Sequence, residues 1–178
     1  MLISKFGAVA EKGLQQHSPK VPDKALMSFL EKYNGGETPE TRFSVGDVSS
    51  DIVAFYGVGN VKYSYDRVQS IKTIDDEFLP IAFDSFGNQI VVSLSSGSIG
   101  FVDHEKADTP RIIAQDFKTF IAHVRSDKIN PKHIRSIEDR ERDLIQRGKG
   151  NNISDALRSL WQKEIDKYSN LNQELVEL

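Results

Sequence analysis

Asp103, His104 and Glu105 stand side by side in the sequence, and these side-chain types can do acid–base work or hold a divalent cation. They follow an apolar run that reads as a strand. Neighbouring residues of a strand point to opposite faces, so three consecutive ligands converge poorly, and the expected role is structural, at the strand end. The histidines, His17, His104, His123 and His133, have no two-His spacing that would make a zinc site. There is no cysteine, which excludes disulfides, thiolate zinc sites and a Cys nucleophile. Gly57-Val58-Gly59 begins like a nucleotide loop, but the third glycine of the dinucleotide pattern would fall on Lys62. Gly97-Ser98-Ile99-Gly100 has the wrong glycine spacing for a nucleophile elbow. No catalytic set, metal site or cofactor is expected.

Acidic side chains offer a different chemistry. Asp75, Asp76 and Glu77 are consecutive, and Glu37 and Glu40 lie close together earlier in the chain. Such carboxylates attract a basic partner and speed its encounter. These five are the candidate partner-binding residues, against a plain solvated loop as the alternative. The chain has 178 residues and a net charge of -3, which argues against general binding to a phosphate backbone and so against direct nucleic-acid contact. Apolar residues make up 38% and charged residues 28%, as expected of a chain with a packed core. No uncharged stretch approaches the ~18 residues of a spanning helix, and the start is too soon interrupted for a signal peptide, so a cytoplasmic protein is expected.

The elements that must position these residues come next. Leu26, Phe29, Leu30 and Tyr33 recur at helical spacing over 23–33, with Pro22 before them and Asn34-Gly35-Gly36 to end the helix. Phe43 and Val45 alternate with polar residues, and residues 52–56 are an apolar run closed by Gly57. Val61, Tyr65, Val68 and Ile71 are spaced like a helix face. Three strand-like runs at 78–83, 89–94 and 99–104 are separated by Asp84-Ser85-Phe86-Gly87-Asn88 and Ser95-Ser96-Gly97-Ser98, which predicts an antiparallel meander. Phe117, Phe120, Ile121 and Val124 predict a helix over about 115–125. Gly35, Gly36, Gly87 and Asn88 are the expected structural turn residues, because glycine permits positive φ and asparagine tolerates it.

The chain changes character near Ser126. Residues 1–126 carry 13 basic and 16 acidic side chains, 10 of the 12 glycines and all 10 phenylalanines, whereas residues 127–178 carry 10 charges of each sign. The division expected is therefore a domain over 1–126 and a helical extension over 127–178. In the extension, Ile134, Ile137, Leu144 and Ile145 stripe one helix, with Glu138/Arg142 and Asp143/Arg147 as i,i+4 pairs. Leu157, Leu160, Trp161, Ile165, Tyr168, Leu175 and Val176 stripe a second, and residues 148–152 break the chain between them. The result expected is a helical hairpin that buries its stripes on the domain, on itself or on a second chain.

Residues 1–126 resemble the SUKH superfamily, a group typified by a fungal cell-wall synthesis regulator and rich in bacterial immunity proteins. The likeness is carried in order by Pro22 and the helix into Tyr33-Asn34-Gly35-Gly36, by Phe55-Tyr56-Gly57-Val58-Gly59, and by Phe78-Leu79-Pro80-Ile81-Ala82-Phe83-Asp84 with Gly87-Asn88-Gln89-Ile90. It continues through Gly100-Phe101-Val102-Asp103-His104-Glu105 and Ile113-Ala114 before Phe117 and Phe120-Ile121. The resemblance implies an α+β fold, with a mixed, largely antiparallel sheet flanked by helices, and brings no catalytic residues. It implies a cytoplasmic, non-enzymatic binder that neutralises a cognate bacterial toxin, possible targets including a basic nuclease whose substrate the acidic surface imitates. A regulatory scaffold docking cellular partners through the C-terminal helices is the alternative, and those helices could also carry a dimer. A hydrolase using Asp103, His104 and Glu105 is the third reading; diverging side chains would remove it.

Overall fold

The structure is a computed structural model and describes residues 1–7, 22–68, 77–106 and 109–178. It resolves into two compact units, one of residues 1–127 with 173–178 and one of residues 128–172.

The first unit is α+β. Its strands are β1 (Leu2–Lys5), β2 (Gly36–Glu37), β3 (Thr41–Val45), β4 (Val48–Asp51), β5 (Ala54–Phe55), β6 (Phe78–Phe83), β7 (Gln89–Ser93), β8 (Ile99–Val102), β9 (Arg111–Ala114), β10 (Val124–Ser126) and β11 (Glu174–Leu175). Its helices are α1 (Lys24–Tyr33), α2 (Tyr65–Val68) and α3 (Phe117–Ala122). One sheet runs β11-β1-β2-β5-β6-β7-β8-β9 and a second runs β10-β3-β4. Neighbouring strands pair antiparallel throughout both sheets. Among the described residues, the parallel component of the expected mixed sheet is a bridge between Gly57 and Ser64.

The predicted meander is β6, β7 and β8. Side-chain alternation predicts one buried face for Ile90 and Val92, yet Val91 between them is equally buried. Strand β7 is interior to the sheet and covered on both sides; a β-carbon at Gly100 of the neighbouring strand would meet Pro110 and Val91 on that second side.

The core is aromatic. Phe29 of α1 lies 5.2 Å from both Phe55 and Phe117 and 5.3 Å from Tyr33, ring centre to ring centre. Phe43 brings the small sheet onto the same cluster through Phe120 at 5.5 Å and Phe101 at 6.0 Å. Burial of each such ring is worth about 1.5–3 kcal/mol. The helix face read from the sequence over 23–33 is the buried face of α1, where Leu26, Phe29 and Tyr33 are each 1% exposed.

The helix ends are set by short polar side chains. Asp23 caps α1, its Oδ1 accepting from the backbone N–H groups of Ala25 (2.8 Å) and Leu26 (3.0 Å). Its Oδ2 accepts from the N–H of Phe117 at 2.6 Å, the first residue of α3. One buried carboxylate therefore serves two helix starts. The helix expected over 115–125 stops at Ala122, and Val124 belongs to strand β10, where it pairs with Phe43. Of the helix expected through Val61, Tyr65, Val68 and Ile71, the described residues hold the turn α2 from Tyr65, Val61 lies ahead of it, and Ile71 lies outside the described residues.

The second unit holds α4 (Ile137–Gln146) and α5 (Asp155–Ser169), preceded by 3-10 turns at Pro131–Ile134 and Gly150–Asn152. None of its residues is fully buried. Ile134, Ile145 and Leu160 are exposed, so the expected apolar stripes are only partly turned inward. The space is taken by polar groups: the Arg140 guanidinium donates to Glu164 at 2.6 Å and to the carbonyls of Lys132, His133 and Arg135. His133 is bonded to Glu164 at 2.7 Å and stacks on Tyr168. The ion pairs also differ from the i,i+4 expectation. Arg142 pairs with Asp139, and Asp143 with Arg135, which reaches it from the turn ahead of the helix.

The chain does not end in helix. Residues 173–178 return to the first unit, where β11 pairs with β1, Leu175 opposite Leu2. Leu175 is thus an edge-strand residue, and Val176, just beyond the strand, is packed against the core. The side-chain amide of Gln173 donates to the carbonyl of Asp127 at 3.3 Å, so the two ends of the interrupted first unit meet.

Candidate protein-binding surface

The Tyr33-Asn34-Gly35-Gly36 turn is built around the asparagine. Asn34 takes the left-handed conformation (φ 53°) and closes α1. Its side chain then acts as a short piece of strand: Oδ1 accepts from the N–H of Val58 at 2.7 Å and Nδ2 donates to the carbonyl of Val58 at 3.2 Å. Gly35 (φ +72°) follows, and a β-carbon there would stand 2.6 Å from the backbone of Phe55 and Tyr56. At Gly36 it would stand 2.5 Å from the carbonyl of Ser4. Chain crossings this close admit no side chain. The clamp also explains Gly57-Val58-Gly59. The Val58 N–H is held by Asn34 and the Gly57 N–H donates to Tyr63 at 2.9 Å, so neither is offered to a phosphate.

Gly87 (φ +92°) and Asn88 lie in the β6–β7 hairpin, and their organiser is Asp84, which in the sequence reads as one turn residue among five. Asp84 is 2% exposed. Its Oδ1 accepts from the N–H groups of Phe86 (2.9 Å) and Asn88 (2.8 Å), and its Oδ2 from Ser50 Oγ and Asn88 Nδ2, both at 2.7 Å. A carboxylate followed by Gly-Asn at +3 and +4 was the available sequence signal.

Asp103, His104 and Glu105 lie in a turn after β8 rather than on it. They diverge. Asp103 accepts from the Glu105 N–H at 3.0 Å and pairs with Lys106, and these two contacts hold its carboxyl below the usual range. His104 Nδ1 turns to Asn88 Oδ1 at 2.8 Å. Among the described residues no group of His, Asp and Glu is arranged to hold a metal ion.

Three of the five acidic candidates lie among the described residues. Glu37, on β2, is 8% exposed, and its carboxylate is engaged by Lys62 Nζ at 2.6 Å. Burial disfavours the Lys62 charge, but the hydrogen bond and attraction to Glu37 outweigh it, and the amine is held above its ordinary range. Glu40 is exposed at the head of β3, in a left-handed conformation (φ 55°). Glu77 is exposed where β6 begins. Asp75 and Asp76 lie outside the described residues.

A groove of about 390 Å³ runs over the outer face of the small sheet. Cross-strand register builds it: Arg125, Arg42 and Asp51 form one row, and Ser44 and Ser49 the next, beside His123. These residues come from three separate segments, so no local pattern announces them. Arg42 pairs with Asp127 at 3.0 Å and Asp51 accepts from Ser85, and Phe43 lies among the lining residues.

Comparison with known proteins accords with this framework. The model of the SMI1 / KNR4 family (SUKH-1) matches residues 22–123, from the residue before the Asp23 cap to the end of α3. The SPbeta prophage-derived uncharacterized protein YokK of Bacillus subtilis (strain 168) is 29% identical over 119 residues, covering 52% of this chain. The match spans 61% of that relative's length. Among the described residues no helix is long and apolar enough to cross a membrane.

Proposed function

This chain belongs to the SMI1 / KNR4 family (SUKH-1), and from that premise we propose that it is a non-enzymatic immunity protein that neutralises a cognate bacterial toxin by covering its working surface. The family match over residues 22–123 carries the reading. Charge supports it: residues 1–127 with 173–178 hold 19 acidic and 13 basic side chains, a net -6. A surface of that sign speeds encounter with a basic protein, such as a nuclease, and repels its nucleic-acid substrate. The polar side chains that a catalytic reading would recruit are committed to one another, Asp84 to the hairpin and His104 to Asn88. Glu40 and Glu77 are the exposed acidic contacts of this proposal, with Asp75 and Asp76 beside Glu77 in sequence and Glu37 held by Lys62. The protein would act in the cytoplasm, needing no cofactor.

Co-expression with the toxins encoded beside its gene is the test. Protection, with a stable complex between the purified proteins, is expected; absence of both across all of them refutes the proposal. The scaffold reading places partner capture on the helices of residues 128–172, and it gains if variants on α4 and α5 abolish capture while variants at Glu40 and Glu77 do not.

A further inference from the structure

Phe86 is the most exposed of the large apolar residues described, at 69%. It occupies the tip of the β6–β7 hairpin, where a polar residue would satisfy the turn equally well. The tip is held from three sides. Asp84 accepts from the N–H groups of Phe86 and Asn88, Asp51 of β4 accepts from the N–H (3.1 Å) and Oγ (3.0 Å) of Ser85, and Asn88 Oδ1 accepts from the His104 N–H at 3.0 Å. The Asp84 carboxylate is buried and met by the neutral donors of Ser50, Phe86 and Asn88. Burying a charge in this way is costly. What it achieves is a turn that presents its aromatic ring in one place.

The surroundings of the ring have a sign. Asp51, Asp103 and Glu105 lie on the segments that hold the tip, with Asp84 buried in the turn; Lys106 pairs with Asp103, and Arg42, opposite Asp51 across β3 and β4, pairs with Asp127. An exposed aromatic ring on a locked turn loses little entropy on binding, and anchors of that kind dominate protein interfaces. Carboxylates around an apolar anchor complement a pocket with lysine or arginine at its rim.

We propose that the Phe86 hairpin tip is the anchor by which this chain grips its protein partner, inserting the ring into an apolar pocket rimmed by basic side chains. The inference rests on the immunity reading and adds the contact surface to it. The occupant is a basic protein, and the carboxylates of Asp51, Asp103 and Glu105 steer it.

The experiment titrates the full-length chain with a catalytically inactive form of the toxin domain encoded beside its gene. Phe86→Ser is expected to weaken binding by ~30-fold or more, the range of an interface hot spot. Its melting temperature should stay at the wild-type value, because the ring is exposed in the free protein. Phe86→Trp should retain most of the affinity, and the Asp103→Asn, Glu105→Gln double variant should slow association and flatten its salt dependence. If Phe86→Ser binds within about threefold of wild type, the anchor is refuted while the immunity reading stands. If the wild-type chain binds none of the co-encoded toxins, the immunity reading falls and the anchor falls with it.

Discussion

Replacing Asp23 tests whether one carboxylate sets the packing of two helices. In Asp23→Ala, α1 loses its N-cap, a cost of ~1 kcal/mol. The Phe117 N–H, donated to Asp23 Oδ2 at 2.6 Å in a buried setting, loses its acceptor as well, at ~1–3 kcal/mol. Together these predict destabilisation of about 2–4 kcal/mol, or a fall in melting temperature of roughly 6–12 °C for a unit of this size. Two further variants separate the contributions. Asp23→Ser keeps an oxygen for the α1 cap but is too short to serve Phe117, so it should lose only the second part. Asp23→Asn keeps the cap and turns an amide N–H toward the Phe117 N–H, donor against donor, and should be no better than serine. Urea unfolding followed by far-UV circular dichroism reads all three. An alanine variant within about 0.5 kcal/mol of wild type would refute the bridging role.

Other expectations rest on separate features. Arg140 first, then His133, hold the Glu164 carboxyl below the ordinary glutamate range. A carboxylate lowered in the folded state contributes stability above its unfolded value, near pH 4.3, and that contribution is lost as pH falls through the lower folded value. Trp161, the single tryptophan, lies on α5 under Arg140, so its fluorescence should report acid unfolding of residues 128–172, with Glu164→Gln less stable at neutral pH and less sensitive to acid. Lys62→Met leaves Glu37 buried without its cation and should destabilise clearly, while adding Glu37→Gln should recover much of the loss in a double-mutant cycle read by thermal unfolding. Deleting residues 173–178 removes β11, the Val176 N–H bond to Met1 and the Glu177 N–H bond to the Tyr33 hydroxyl, and should lower the melting temperature measurably. Replacing residues 128–172 with a short Gly-Ser link should leave the first unit folded by circular dichroism, because Asp127 and Gln173 already touch.

Local pattern carried the elements whose signal is local. The stripe of Leu26, Phe29 and Tyr33, the turn residues at 84–88 and 95–98, and the glycines at 35 and 36 each express a short-range requirement: one buried helix face, a tight reversal, a backbone with no room for a β-carbon. The order of these pieces was enough for a family likeness and an α+β fold. Groups that depend on distant partners stayed hidden. Glu37 reads as a surface acid beside Glu40, and its burial against Lys62 depends on strands β2 and β5 being neighbours. Leu175 and Val176 fit a helical stripe, and only the open edge of β1 puts Leu175 in a strand and the Val176 N–H on the Met1 carbonyl.

What the amino-acid order determined by itself, then, is where helix α1, the meander strands β6, β7 and β8 and the turns between them lie, since backbone conformation and side-chain alternation are properties of a few adjacent residues. What the tertiary structure alone decided is which charges are engaged and which surfaces are free. Asp23, Asp84 and Glu37 are three carboxylates alike in sequence, and each is buried because donors from remote segments meet it. Phe86 is one of ten phenylalanines, and it stands outside because the β6–β7 hairpin carries it at its tip, away from the core.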